Sequence, residues 1–100
     1  MISRQWRGLA RSDAAMAYQH HLQTETFPAL RRIEGFVDAT ILKRPVATGI
    51  EFLIVTRWEA MEAIAKFAGA DPELAVVPAE VRQMMLEYDA KVRHYEVVAK

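Results

Sequence analysis

The stretch "IEFLIVTRW" at residues 50–58 constrains the fold more than any other part of the sequence. A strand of an antiparallel sheet that is covered on one face alternates between apolar and polar residues. This stretch places Ile50, Phe52 and Ile54 on one face and Leu53 and Val55 on the other. Both faces of the strand are therefore predicted to be buried.

The same stretch is the second half of a predicted β-hairpin. Residues 36–44 form the preceding strand, and the turn residues of "PVATG" at 45–49 separate the two strands. The preceding strand also carries apolar residues on both faces, because Phe36 and Leu42 oppose Val37, Ala39 and Ile41. The hairpin is thus expected to lie inside a sheet with two apolar faces.

The remaining elements flank this hairpin. Residues 2–9 alternate as a strand, and residues 13–32 have the spacing of one amphipathic helix that Pro28 should kink or break. After the hairpin, the sequence predicts a helix at 59–68, a short turn at 71–76, a helix at 78–89 and a strand at 91–98.

This order is β-α-β-β-α-β, which predicts an α+β fold of the ferredoxin-like type. Its four-stranded antiparallel sheet has the first and third strands at the centre and the helices on one face. A chain of 100 residues corresponds to one domain, spanning residues 1–100. Because the helices cover only one of two apolar faces, a second copy is expected to cover the other in a homodimer.

Composition excludes several classes of function. The formal net charge is zero, with 13 basic and 13 acidic residues and no basic block, so neither nucleic acid nor membrane is an expected partner. The absence of cysteine excludes disulfides and thiolate chemistry. No apolar run resembles a signal peptide or a membrane span, and a cytoplasmic location is expected.

Four stretches carry a family resemblance. "GF" at 35–36, "EFLIVTRWEA" at 51–60, "AIAKFAGAD" at 63–71 and "VRHYEV" at 92–97 together resemble the antibiotic biosynthesis monooxygenase domain of bacteria. That family belongs to the dimeric α/β-barrel superfamily. The resemblance implies two sheets that close a barrel across a dimer, with one pocket per subunit between sheet and helices. It also implies oxygenation of a small aromatic or polyketide-like substrate, an anthrone or quinol, by molecular oxygen with no cofactor.

A related branch of that family binds and degrades haem. It uses an Asn on the first strand, and a Trp and a His after the strand–helix junction. Here the first strand has no Asn, Phe67 stands where the Trp would fall, and "ADPELAVV" at 70–77 has no His. Haem degradation is therefore not expected, and haem binding is expected to be weak or absent.

Two residues of the first strand and one of the last are predicted to form a catalytic site. Arg4 and Trp6 share one face of the first strand, and His94 on the last strand should lie beside them. His94 would take a proton from the substrate, and Arg4 would stabilise the anion. The alternatives left open are a structural histidine and an Arg4 paired with a carboxylate such as Glu96.

Trp58 and Arg7 complete the predicted substrate-binding residues. Trp58 ends the third strand, where its ring either fills the junction with the following helix or stacks with Trp6 on a flat substrate. Arg7 becomes the anion partner if the opposite face of the first strand lines the pocket. No metal site is predicted, because His21 and Glu25 supply only two ligands at i, i+4. A non-oxidative small-molecule binder or stress-response protein of the same fold is the alternative function.

Overall fold

The computed structural model describes residues 1–100 as a five-stranded antiparallel sheet with helices on one face. The strands are β1 Ile2–Ala10, β2 Phe36–Val46, β3 Gly49–Trp58, β4 Met85–Tyr88 and β5 Arg93–Glu96. The helices are α1 Ala15–His21, α2 Phe27–Leu30, α3 Met61–Ala68 and α4 Ala79–Met84, and a π-helical turn at Leu22–Thr26 joins α1 to α2.

The sheet has the order β2-β3-β1, and both β4 and β5 pair with the far edge of β1. The central pair of β1 and β3 confirms the prediction of a ferredoxin-like α+β fold. Its register places Arg4 opposite Thr56 and Trp6 opposite Ile54. These four residues share the face that the helices cover.

The helix predicted at 78–89 is wrong in its second half. It ends at Met84, and Met85–Tyr88 pair as β4 with the Gly8–Ala10 end of β1. The backbone groups along this edge of β1 would otherwise lack partners, so edge pairing outweighs the helical spacing of the methionines. The N–H of Asp89 still donates to the carbonyl of Arg7 in β1. Residues 90–92 then pair with the backbone of 73–75, since Ala75 donates to Ala90 and Val92 donates to Glu73.

The first helix is interrupted, as the sequence predicted from Pro28. Pro28 lacks an N–H group, and its ring excludes the carbonyl four residues before it from the regular pattern. The chain forms a π-helical turn at this point, in which the N–H of Phe27 donates to the carbonyl of Leu22. The wider turn leaves Phe27 and Leu30 buried against the sheet.

The core lies between the sheet and the helices, where Phe52, Trp58 and Ile64 are fully buried. None of the helices has the length and hydrophobicity that a membrane span requires.

The opposite face of the sheet, which we call the open face, is more polar than the sequence predicted. Leu53 and Val55 are half-buried there and Leu42 is half exposed. Beside them, Glu51 accepts hydrogen bonds of 2.7 Å from both Arg7 and Arg44. The open face therefore combines apolar residues with ion pairs.

Candidate functional site

A cavity of about 280 Å³ lies between the helix-covered face of the sheet and the first helical region. Of its 18 lining residues, 12 are hydrophobic, so an apolar ligand fits its walls better than a polar one. β1 and β3 form one wall, and α1, the π-helical turn and α2 form another. The segment 76–78 and Val81 of α4 close a third side.

Arg4 is the most buried charged residue in the lining of this cavity. The residue is only 5% exposed, and one guanidinium nitrogen, Nη2, donates to the carbonyl of Leu74 at 3.0 Å. Its Nε is buried and has no partner. The guanidinium carbon lies 5.5 Å from the centre of the Phe67 ring, a cation–π contact.

The environment of Arg4 disfavours the charged form of its guanidinium, but the group stays protonated at neutral pH. Burial lowers the pKa of Arg4 to about 10, and no carboxylate contributes in the other direction. Arg4 is therefore a buried cation at neutral pH without an anionic partner in the chain.

Trp6 forms an aromatic wall beside Arg4. Its Nε1–H donates to the carbonyl of Asp89 at 2.8 Å, which fixes the ring in its plane. Gly8 gives that ring its space, because a Cβ at Gly8 would lie 2.4 Å from the ring. The irregular segment after β4 and a glycine on β1 thus place Trp6 in the lining.

Tyr18 of α1 supplies a second aromatic wall. Its ring packs edge-on against Phe52 at 4.9 Å and lies 6.2 Å from Trp6. Burial raises the pKa of the Tyr18 phenol. The phenol stays protonated at neutral pH and is available for hydrogen bonding, but not as a base.

His94 is the cross-strand neighbour of Arg4, but it is not among the residues that line the cavity. Its Nε2 is buried without a partner. Burial and the charge of Arg4 lower the pKa of His94, and Glu73 opposes them. Glu96 lies opposite Ile2 and is exposed, and it forms no ion pair with Arg4.

Trp58 fills the junction between β3 and α3 and does not line the cavity. It is fully buried, and its Nε1–H donates to Oγ1 of Thr56 at 2.9 Å. Its ring stacks with Phe67 at 6.2 Å, and Phe67 does line the cavity. Trp58 therefore packs against Phe67, a residue of the cavity wall, without lining the cavity itself.

Arg7 lies on the open face, away from the cavity. It donates to Glu51 at 2.7 Å and lies 3.5 Å from Glu87, and the hydrogen bond with Glu51 raises its pKa. Of the five predicted site residues, the structure therefore brings Arg4 and Trp6 together in the cavity. It places His94 and Trp58 at its margin and Arg7 on the other face.

Several lining residues were not predicted from the sequence. Tyr18, Phe27 and Leu30 lie on the apolar stripe of the first helical region, where the same spacing also describes core residues. Val76 and Val77 belong to a segment with no periodicity. Only the folded chain shows that these side chains border a space.

Two residues of the cavity lining, His21 and Glu25, belong to a cluster of side chains of the kinds that bind metal ions. His21 Nδ1 is 3.0 Å from a carboxylate oxygen of Glu25 and 3.7 Å from one of Glu80, and the three ligand atoms lie within 4.8 Å of one another. Glu80 of α4 is the third ligand that the sequence did not indicate. These ligand types bind divalent cations such as Zn²⁺. The same groups also make an ordinary ion-pair cluster, and both carboxylates are largely exposed.

No family model matches the sequence, and no curated protein matches it. Solved structures do match. A Bacillus cereus protein named as a proposed antibiotic biosynthesis monooxygenase has 17% identity and a TM-score of 0.69, over 99% of this chain and 94% of that one. A mutant of MhuD with two manganese protoporphyrin IX molecules per active site has 19% identity and a TM-score of 0.70, over 100% and 97%.

The haem degrader MhuD from Mycobacterium tuberculosis, with two haems in its active site, has 17% identity and a TM-score of 0.60, over 100% of this chain and 98% of that one. At these identities the likeness concerns the fold. It extends over nearly the full length of both chains in each case. The predicted resemblance to the antibiotic biosynthesis monooxygenase domain is confirmed at the level of the fold.

Proposed function

We propose that this protein is a cofactor-independent monooxygenase that acts on a small aromatic or polyketide-like substrate of the quinol or anthrone type. The observation that carries the proposal is the apolar cavity with aromatic walls and one unpaired cation, Arg4, inside it. The fold is the one shared with the Bacillus cereus protein whose name proposes a monooxygenase of antibiotic biosynthesis.

The reaction needs no external reductant. An activated C–H bond of the substrate releases its proton to the solvent, and the electron pair of the carbanion forms a C–O bond with molecular oxygen. The peroxide anion then takes up a proton. The resulting hydroperoxide loses water, so one oxygen atom remains on the substrate as a carbonyl and the other leaves as water. The protein contributes by stabilising the carbanion and by excluding water.

Arg4 and Trp6 carry the proposed roles. The guanidinium of Arg4 offers a fixed positive charge to the delocalised anion, and its burial strengthens that interaction. Trp6 and Tyr18 hold the ring of the substrate by aromatic contact. Proton abstraction by His94 is not part of the proposal, because His94 does not line the cavity.

Haem does not fit this site. A volume of about 280 Å³ is at the lower end for small-molecule pockets, and a porphyrin is a large ligand. The one histidine in the lining, His21, directs its Nδ1 toward Glu25 and Glu80. We therefore expect no sharp Soret band on titration with haem.

Oxygen consumption tests the proposal. The wild type should consume oxygen with an anthrone or a quinol, with no dependence on added flavin or metal. The variant Trp6→Leu should lower the rate, whereas the variant Met16→Leu should not, because Met16 is 69% exposed on α1. No oxygen uptake above the background with any anthrone or quinol would contradict the proposal.

The second candidate function is non-oxidative binding of a small molecule. It is favoured by the lining itself, in which the only histidine, His21, is engaged with Glu25. Ligand binding that quenches Trp6 fluorescence without oxygen uptake would support this function over the first.

We also propose that two copies associate through the open face. Support comes from Leu42, Leu53 and Val55, which form an apolar area on a sheet face without helices. The closed dimer would complete the two-sheet barrel that the resemblance implies.

A further inference from the structure

We infer that the ligand of the cavity is a planar, largely apolar organic acid that is already ionised at neutral pH, and that Arg4 is its counter-ion. The inference rests on the proposed function only in that both place a small molecule in this cavity. It narrows the substrate class from neutral anthrones and quinols to molecules that carry a carboxylate or an equally acidic enol.

Arg4 differs from the arginines of the open face in having no carboxylate partner. On the open face, Arg7 and Arg44 share Glu51, and Arg57 donates to Asp38 at 2.7 Å. These guanidinium groups are more exposed than Arg4, yet each has a carboxylate. The most buried of them, Arg4, has a single backbone carbonyl, and its Nε has no partner.

The unpaired, buried charge of Arg4 lowers the stability of the fold. A buried charge is normally paired and fully hydrogen-bonded, and one that is not destabilises the fold. Leu or Met in place of Arg4 would fill the same space between Trp6 and Phe67 without that cost. An anion that enters the cavity would supply both the missing charge and an acceptor for Nε.

The ligand pairs with Arg4 on entry only if it is already anionic. A neutral phenol or anthrone would leave Arg4 unpaired until a base removed its proton. The Tyr18 phenol is protonated and His94 lies outside the lining, so neither is a base for a ligand in the cavity. His21 and Glu25 line the cavity but are engaged with each other, with His21 Nδ1 3.0 Å from a carboxylate oxygen of Glu25. A ligand that arrives as an anion pairs with Arg4 from the start, before any proton transfer.

The residues of the cavity wall indicate the shape of the ligand. Twelve hydrophobic residues line the cavity, and the rings of Trp6, Tyr18 and Phe67 are among them. Such walls favour a flat ring system. A small inorganic anion would leave most of the apolar wall without contacts, so a bare phosphate or sulfate is a poor occupant.

The experiment compares naphthoate with naphthamide, two probes of nearly equal shape that differ in charge. Binding is measured by calorimetry and by Trp fluorescence under nitrogen. The wild type should bind naphthoate at least about 10-fold more tightly than naphthamide, as expected for a hydrogen-bonded charge pair. Arg4→Met should abolish this difference, and Arg4→Lys should retain part of it.

The matched control is Arg93→Met, which removes an exposed arginine from β5 on the neighbouring strand. It should keep the preference for naphthoate. A thermal unfolding curve for each variant shows that it is folded. Equal binding of the two probes by the wild type would overturn the inference, and so would an unchanged preference in Arg4→Met.

The failure of this inference and the failure of the proposed function are distinguishable. Binding of naphthoate through Arg4 without oxygen uptake with any substrate would leave the inference standing and defeat the monooxygenase. Oxygen uptake with neutral anthrones, unchanged in Arg4→Met, would defeat the inference and leave the monooxygenase.

Discussion

At the scale of single residues, Arg4 shows a conflict between stability and binding. It is 5% exposed, the chain provides no carboxylate partner for it, and burial lowers its pKa to about 10. Residues that break the usual rules of burial tend to mark functional sites, and the rest of the fold compensates for them. Alternation on β1 was enough to identify Arg4 as unusual. The absence of a partner became known only from the structure, because Glu96 was an equally plausible partner in the sequence.

Arg4→Met should stabilise the protein without ligand. The substitution removes an unpaired buried charge and leaves a side chain that suits the apolar surroundings. We expect the free energy of unfolding to rise by about 1–3 kcal/mol, in urea at neutral pH. Arg93→Met is the control and should change it by less than about 0.5 kcal/mol. A marked loss of stability in Arg4→Met would mean that the hydrogen bond to Leu74 outweighs the cost of the charge.

His94 should make stability depend on pH. Burial, followed by the charge of Arg4, lowers its pKa in the folded state, so the unfolded chain binds a proton first as the pH falls. The contribution is fully present above the ordinary histidine pKa of about 6.5 and is lost as the pH falls below it. The melting temperature of the wild type should therefore fall more between about pH 7.5 and about pH 5.5 than that of His94→Asn.

The control for this prediction is His20→Asn, which removes an exposed histidine from α1. It should retain the pH dependence of the wild type. Asp38 and Glu51 have lowered pKa values through their arginine partners, so their contribution is lost at lower pH and is common to all three proteins. Equal pH profiles for the wild type and His94→Asn would contradict the role assigned to His94.

At the scale of elements, most of the fold could be predicted because alternation and helical spacing are local signals. The hairpin of β2 and β3 and the central position of β1 followed from that pattern. β4 could not be predicted, because residues 85–88 are strand only where the edge of β1 is available for pairing. The cavity could not be predicted either, since core and lining residues share the same spacing on α1.

The junction of β3 with α3 depends on Trp58. Its ring is fully buried between Phe36 and Phe67, and its indole N–H is satisfied by Thr56. We expect Trp58→Ala to cost about 3–5 kcal/mol in the free energy of unfolding, from lost burial and the cavity left behind. Trp58→Phe keeps a ring and should cost less.

Unfolding in urea checks this prediction, with Val98→Ala as the control because Val98 is 87% exposed. The control should lie within about 0.5 kcal/mol of the wild type. If Trp58→Ala were as stable as the control, Trp58 would not be a core residue of this junction.

At the scale of the whole molecule, the open face is the part of the surface that the fold leaves without cover. Its ion pairs, Arg7 with Glu51 and Arg57 with Asp38, keep it compatible with water. Its apolar residues are concentrated on the paired positions Leu42 and Leu53 of β2 and β3. A polar rim around an apolar centre is the usual composition of an interface, which supports the proposed homodimer.

Leu42→Glu tests the dimer without threatening the fold of the subunit. Leu42 is 49% exposed in the single chain, so a charge there costs the isolated subunit little, whereas in a dimer it would be buried without a partner. Met16→Glu is the control, since Met16 is 69% exposed on α1. In light scattering at micromolar concentration, the wild type and the control should have twice the chain mass of 11.4 kDa, and Leu42→Glu should have the mass of one chain. A wild type with the mass of one chain would defeat the proposal, and a dimeric Leu42→Glu would place the interface on another surface.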